Sequence, residues 1–267
     1  MPPVRRPVLV IGALGRMGER VRVALAEHSR LRLGAAIEAE GHPDLGRKLE
    51  DGVVVSDDLA GALRGCEAAI DFSTPAGMLG ALRAAAAAGV PFVTGTTGLT
   101  GDDRRELERL AARVAVVAAP NFSVAVNVLV HLVGEATRLL GAGYDAELVE
   151  LHHRAKRDAP SGTALRLART VAEARGRELD DVLVLERAGE IGPRPEGAIG
   201  VQTLRGGDAP GEHSVLFVGE GERLELVHRA ATRDHFARGA VLAAEWALGR
   251  PSGLYGMEDV LNLAHRT

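Results

Sequence analysis

A single cysteine, Cys66, in 267 residues rules out an internal disulfide framework. It stands in an expected helix-to-strand link with no His motif beside it, so it is assigned no chemistry. Positive charge is not in excess either: 32 Lys and Arg against 36 Asp and Glu leave a formal net charge of −4, with a pI near 6.2. That excludes the global basic field that holds nucleic acid, and any anion site must be local. No uninterrupted apolar run approaches the roughly 18 residues of a membrane span, which predicts no spanning helix and a cytoplasmic protein. The opening "MPPVRRPVLVIGALG" sets Arg5 and Arg6 before an apolar run, as a signal peptide does. The run is short, however, and "RMGER" follows where a small-residue cleavage site belongs, so a first buried strand fits better. Internal repeats are lacking, and no Cys or H-E-x-x-H spacing completes a zinc site, so no metal is expected. What is present is 46% hydrophobic and 25% charged sequence, enough for a packed core in one large or two modest domains.

The first half alternates between two kinds of segment. Apolar, β-branched runs at 8–13, 31–38, 68–73, 91–97 and 114–120 are separated by helical patterns such as "RMGERVRVALAEH" and "DDRRELERLAARV". Runs that are apolar throughout predict strands covered on both faces, hence a Rossmann-like parallel sheet with helices above and below. Ligands of such α/β sheets sit at the carboxyl ends of the strands. After a long helical segment over 121–141 the pattern changes. "DAELVELHHR" reads as a strand and "TALRLARTVAEARG" as a helix, followed by three strand-like segments, "VLVLER", "IGVQTLRGG" and "HSVLFVGEGERLELVHRAAT". This predicts a smaller α+β domain with a mixed or antiparallel sheet. The helix over 234–249 and the tail after it return to the first domain.

"VLVIGALGRMG" carries Gly12, Gly15 and Gly18 between a strand and a helix. Gly12 permits the tight turn, Gly15 lets a pyrophosphate approach the backbone, and Gly18 lets the helix sit close to the sheet. Glu38, twenty residues past Gly18, ends the second strand, where a carboxylate accepts hydrogen bonds from a ribose hydroxyl pair. Together these predict a dinucleotide site. A carboxylate there repels a 2′-phosphate, and the next residue is Ala39, which favours NADH over NADPH, with Arg16 the cation close enough in sequence to accommodate some phosphate. "GTTG" (95–98) and "APNFS" (119–123) close two further strands where a nicotinamide ribose and carboxamide would lie, with turn chemistry alone as the other reading of each. In "DFSTP", Ser73 and Thr74 before Pro75 start a helix, with Phe72 able to line the adenosine side.

"ELHHRAKRDAPSGTA" (150–164) holds the rest of the chemistry. Pro160 biases Ala159 away from helical angles, so a helix begins at or just after it, with Ser161 and Thr163 in the first turn. Their hydroxyls and the N–H groups of Gly162 and Thr163 make a carboxylate-sized anion site. His153 and Lys156 add positive charge, which suits a small substrate with one or two carboxylates. Reducing a carbon–nitrogen or conjugated double bond takes a hydride at one atom and a proton at its neighbour; His152 and Lys156 are the candidates for the proton. His28, His42, His131, His213, His228, His235 and His265 are assigned no role.

Taken together, "VIGALGRMG", "GTTG", "APNFSVAVNV", "ELHHRAKRDAPSGTA" and "HRAATRDHFARGA" resemble the dihydrodipicolinate (4-hydroxy-tetrahydrodipicolinate) reductase family of diaminopimelate and lysine biosynthesis, from about Val8 to Leu263. The resemblance implies a cofactor domain over 1–123 and 233–267, a substrate and oligomerisation domain over 124–232, and a sheet that packs into a homotetramer. It implies His152 as proton donor and acceptor, Lys156 as proton donor, and His153, Lys156, Gly162 and Thr163 around the substrate carboxylates, to which the reading of the helix start adds Ser161. The cofactor falls to Gly12, Ala13, Leu14, Gly15, Arg16, Met17, Glu38, Gly95, Thr96, Thr97, Ala119, Pro120, Asn121 and Phe122. Family members that use NADPH well often carry Arg where this chain has Ala39, which again favours NADH. Closure of one domain on the other, hinged near Ser123 and Arg233, is expected to exclude water. The alternatives are another nicotinamide-dependent reductase of a small dicarboxylate, and a catalytically silent NAD(H)-binding regulator.

Overall fold

A computed structural model describes residues 4–49 and 52–263. They form two compact units, one from the chain up to Val124 and again from Asp234, the other from Ala125 to Arg233. The first runs β1 (Arg6–Ile11), α1 (Arg16–Glu27), β2 (Leu31–Ile37), β3 (Val55–Ser56), α2 (Leu59–Gly65), β4 (Ala68–Asp71), α3 (Pro75–Ala88), β5 (Phe92–Thr94), α4 (Gly101–Ala111) and β6 (Ala115–Ala118). The second runs α5 (Val124–Leu140), β7 (Asp145–His152), α6 (Gly162–Ala174), α7 (Leu179–Val182), β8 (Leu183–Val184), β9 (Ile199–Arg205), β10 (Glu212–Val218) and β11 (Arg223–Arg229). The chain then returns to the first unit as α8 (Asp234–Ala247), β12 (Gly253–Tyr255) and α9 (Met257–Val260).

The first unit is a seven-stranded sheet in the order β12-β6-β5-β4-β1-β2-β3, every pair parallel. Its strands read as unbroken apolar runs because both faces are covered. Val8 and Val10 of β1 join one core with α1 and α8, while Leu9 and Ile11 join the other with α3 and α4. Helix α8 buries Ala237, Ala240, Ala243, Ala244 and Ala247, a face of small residues that lets it lie close against the sheet. Helix α3 starts as its sequence predicts: Thr74 is the N-cap, accepting from Gly77 N at 3.2 Å, and Pro75 opens the first turn. Cys66 caps the end of α2, and burial pushes its thiol up to about 11, so it stays protonated.

The second unit is a five-stranded mixed sheet, β11-β10-β7-β9-β8, in which β9 is parallel to β7 and β8 while β10 is antiparallel to β7 and β11. The last strand-like segment of the sequence is thus a hairpin rather than one strand. Alternate residues of β7, Ala146, Leu148, Glu150 and His152, are buried. The first two sit in the core with Leu167 and Val171 of α6, so the covered face turns from apolar to ionisable toward the end of the strand, next to the start of α6. By length and composition α5 with its 3₁₀ extension, Val124–Gly143, would pass as a membrane-crossing helix, which the sequence expectation excluded for want of an unbroken apolar run. Here Leu129 and Val133 pack in the core of the unit, and buried Asn127 accepts from Arg166 Nη1 at 2.9 Å. One face of the helix is thus packed in the core, while Leu132 and Leu139 on it are exposed.

Candidate active site

In the first unit the glycine turn lies at the carboxyl end of β1. Gly12 has φ +69°, which L side chains rarely adopt, and its N–H donates to Ile37 O at 2.9 Å. A Cβ on Gly18 would stand 2.0 Å from Gly12 O, so only glycine allows α1 to start this close to the turn. Helix α1 is capped by Gly15, with no side chain bonded to its first N–H groups. An anion-binding helix start of this form fits a pyrophosphate. Glu38 Oε1 accepts from Leu14 N at 2.6 Å, so the carboxylate at the end of β2 sits against the turn. Arg16 and Ala39 are exposed, Ala13 is buried, and Met17 packs on the core.

Two further strand ends, those of β4 and β5, are tied together by Asp71, a residue given no role above. Its fully buried carboxylate accepts from Ser73 Oγ at 2.5 Å, Thr94 Oγ1 at 2.9 Å and Thr96 Oγ1 at 2.7 Å. Burial pushes its pKa up against the pull of those three hydroxyls. The available signal was an acid inside the otherwise apolar "AAIDFS". Gly95 packs so tightly on Phe72 that a Cβ would lie 2.1 Å from the ring, and the rings of Phe72 and Phe122 meet edge to face at 5.9 Å. Phe72 therefore packs among the Gly95 and Phe122 strand ends. Ala119 N donates to Thr94 O at 3.2 Å, Asn121 Oδ1 accepts from Ser123 N at 2.8 Å, and Thr97 and Pro120 are exposed.

In the second unit His152 ends β7 with 8% of its surface exposed, its Nδ1 hydrogen-bonded to Glu150 Oε2. Glu150 is 1% exposed and accepts from both terminal nitrogens of Arg205, at 2.9 and 3.0 Å, and from Ser161 N at 3.0 Å. Burial alone would raise the Glu150 pKa; the bonds from Arg205, His152 and Ser161 hold it below the usual carboxylate range instead. For His152 burial prevails over the attraction of Glu150 and, with the charges of Lys156 and Arg205, lowers its pKa. His213 on β10 lies beside it, ring centroids 5.2 Å apart, and burial lowers this second imidazole to about 4.

Ser161 departs from expectation. It is the N-cap of α6 rather than part of the first turn: its hydroxyl accepts from Ala164 N at 3.2 Å and meets His213 Nε2 at 3.2 Å, and its N–H goes to Glu150. It is 2% exposed and faces into the protein. Gly162 and Thr163 open the helix, and a Cβ on exposed Gly162 would meet nothing within 4 Å. The fold does not demand glycine there, and the space is available to a ligand. Lys156 Nζ is 2.8 Å from Asp158 Oδ1 in the loop after β7. That loop is anchored by His153 N to Ala209 O at 2.9 Å and by Arg205 Nη2 to Asp158 O at 2.6 Å. His153 and Lys156 are both half-buried on it.

The structure thus gathers Gly12–Met17 with Glu38, and Gly95 with Phe122, in one unit, and His152 with Ser161 in the other. Glu150, Arg205 and His213 were missed. Period two along β7 sets Glu150 and His152 on one face, a signal present in the sequence; Arg205 and His213 arrive only through strand pairing, opposite His152 and Glu150 respectively. His265 lies outside the described residues.

Residues 6–122 match the family model described as dihydrodipicolinate reductase, N-terminus, and residues 125–261 the one described as dihydrodipicolinate reductase, C-terminus. The 4-hydroxy-tetrahydrodipicolinate reductase of Anaeromyxobacter dehalogenans is 49% identical, the alignment covering 96% of this chain and 97% of that protein. The enzyme of the same description from Syntrophobacter fumaroxidans is 46% identical over 95% and 98%. Among solved structures, dipicolinate-bound dihydrodipicolinate reductase from Paenisporosarcina sp. TG-14 has the same fold, with TM-score 0.79 and 24% identity over 96% of this chain and 99% of that one.

Proposed function

This chain belongs to the dihydrodipicolinate reductase family, and from that premise we infer that it is an NAD(P)H-dependent oxidoreductase reducing 4-hydroxy-tetrahydrodipicolinate to tetrahydrodipicolinate, a step of diaminopimelate and lysine biosynthesis. The observation that carries the site assignment is a buried imidazole, His152, at the end of a strand, followed at once by a basic loop and an open helix start.

When bound, the dihydronicotinamide supplies the hydride; Gly12–Met17 and Glu38 would hold its pyrophosphate and ribose, and Gly95–Thr97 with Ala119–Phe122 its nicotinamide end. The start of α1, where Gly15 offers no side chain to its first N–H groups, and the close approach of Gly18 to Gly12 O support that fit. Glu38, with uncharged Ala39 beside it, supports NADH over NADPH. In the second unit the N–H groups of Gly162 and Thr163 donate to one substrate carboxylate, and His153 and Lys156 draw in the other. Ser161 builds the helix start and makes no ligand contact. His152 and Lys156 hold the proton that the reduced ring takes up. Transfer requires both ligands to meet, so closure pivots on the two crossings of the chain, which we take as the boundaries of a cofactor domain (1–123 and 233–267) and a substrate domain (124–232). No metal is needed in this scheme. The uncovered face of the five-stranded sheet exposes Leu204 (50%), Val218 (39%) and Val227 (40%), which supports a homotetramer formed through that sheet, and we take the enzyme to be cytoplasmic.

The test is a coupled assay in which aspartate semialdehyde, pyruvate and the preceding synthase make the substrate in situ, with NADH and NADPH in parallel. Oxidation of cofactor that depends on all three supports the reading. Normal NADH binding without oxidation would mean a silent regulator, and oxidation with another dicarboxylate alone would mean a different reductase.

A further inference from the structure

We propose that Glu150, clamped by Arg205, is a positioning residue that fixes the tautomer of His152 and makes Nε2 the nitrogen that exchanges a proton with substrate. In the same proposal residue 211 is glycine because a side chain there would cover that nitrogen. The proposal rests on the functional reading above and adds to it the group that sets up the acid.

The Glu150 carboxylate is reached by donors only: both terminal nitrogens of Arg205, the backbone N–H of Ser161, and the Thr203 hydroxyl at 3.4 Å. A bidentate guanidinium and a backbone N–H cannot accept, so Glu150 is ionised and has no hydrogen to give. The hydrogen in its bond to His152 Nδ1 must therefore sit on Nδ1. Neutral His152 then presents a bare Nε2, and the imidazolium it becomes is stabilised by Glu150, the division of labour of an acid–imidazole pair. His213 does not compete for the proton, since it is buried, its Nε2 is engaged with Ser161 Oγ, and its Nδ1 has no hydrogen-bond partner. The titratable and charged groups facing His152 are thus Glu150 on its own strand, Arg205 on β9, His213 on β10 and Lys156 in the following loop. On the Nε2 side lies Gly211: a Cβ there would be 2.9 Å from Nε2, and φ is +153°. Gly211 N–H and C=O belong to the approach to β10, where Ala230 N donates to Gly211 O at 3.1 Å, so the backbone is held in that position.

The experiment is long-range ¹H–¹⁵N NMR of the histidine rings in the full-length protein, together with steady-state kinetics across pH. In the wild type His152 should be the Nδ1–H tautomer. Glu150→Gln should lose that preference and lower kcat by about 10- to 100-fold, with KM for NADH unchanged. Arg205→Lys, which keeps the charge but not the bidentate clamp, should displace the His152 limb of the pH profile with a smaller loss of kcat. Gly211→Ala should lower kcat while the Nδ1–H tautomer persists, and the displaced pH limb of Arg205→Lys is the readout that a merely structural role would not move. A wild-type Nε2–H tautomer would overturn the proposal, as would Glu150→Gln with tautomer and kcat unchanged. If Glu150→Gln does not fold by circular dichroism, unchanged kcat in Gly211→Ala with an unmoved pH profile in Arg205→Lys overturns it equally. Should the wild type fail the coupled assay, the reductase reading falls while the tautomer still judges the role of Glu150.

Discussion

Replacing Glu38 by glutamine changes one charge and tests the cofactor preference. The carboxylate is half-buried at the end of β2 and accepts from Leu14 N at 2.6 Å, a bond that the glutamine oxygen can keep. A ribose diol donating to a carboxylate gains about 1.5–3 kcal/mol per bond where the site is dry, and less for a neutral acceptor. A 2′-phosphate set at about 4 Å from that carboxylate is repelled by about 1 kcal/mol per charge in water and by about 4 kcal/mol at an effective dielectric of 20. Partial exposure selects the lower part of the range, so about 1.5–3 kcal/mol should separate the cofactors, roughly 10- to 100-fold in kcat/KM. Glu38→Gln should bring that ratio toward one, raising KM for NADH a few-fold and lowering KM for NADPH by about tenfold. Exposed charges are screened by salt, so wild-type KM for NADPH should also fall as ionic strength rises, with KM for NADH nearly constant. Initial rates with both cofactors measure all of this. Equal wild-type efficiency with the two, or a ratio unmoved by the substitution, would refute the argument from Glu38.

Lys156→Ala should cut turnover by about two orders of magnitude or more with NADH binding intact by fluorescence titration, and unchanged turnover would remove Lys156 from the mechanism. Gly18→Ala places a methyl 2.0 Å from Gly12 O and 2.7 Å from Ala13 Cα, backbone that cannot swing aside. It should destabilise by about 1–3 kcal/mol and weaken NADH binding; a Tm equal to wild type would show that the turn tolerates more room. Burial lowers His213 to about 4 from an ordinary 6.5, so between those values the unfolded chain binds a proton that the folded one does not. Stability from this group is whole above about pH 6.5 and is lost as pH falls toward 4, by about 3 kcal/mol at most. His213→Gln should flatten the urea midpoint over that window, and a wild-type midpoint already flat there would contradict the burial argument.

The parallel sheet was legible because it lies between two layers of helices. With both faces covered, "VLVIGA" and "VAVVAAP" are apolar at every position, a local property that needs no knowledge of neighbours. The two edge strands were not legible, since Val55–Ser56 and Gly253–Tyr255 are too short to carry a period and exist only because β2 and β6 offer them open edges. The hairpin in "HSVLFVGEGERLELVHRAAT" was legible in principle, its turn marked by "GEGE", where Gly219 N donates to Glu222 O at 2.9 Å.

The site divides along the same line. Glycines, hydroxyls and a proline act on the residues beside them, so the turn at Gly12 and the helix start after Pro160 could be placed from sequence. Burial of a charge is different, because it depends on what another strand brings opposite. Glu150 alone, in "LVELHH", looks like an ordinary surface acid; it becomes a buried anion only because β9 pairs Thr203 with it and sets Arg205 opposite His152, while β10 sets His213 opposite Glu150. This also separates the two adjacent histidines. His152 is the last residue of β7 and points to the covered face, where a carboxylate orients its ring, whereas His153, one residue on, has left the strand for the basic loop and is half-buried with its backbone bonded to Ala209. Their identical side chains therefore stand in different surroundings, a buried carboxylate partner for the first and a basic loop for the second, and the difference arises from the end of a strand and not from any motif.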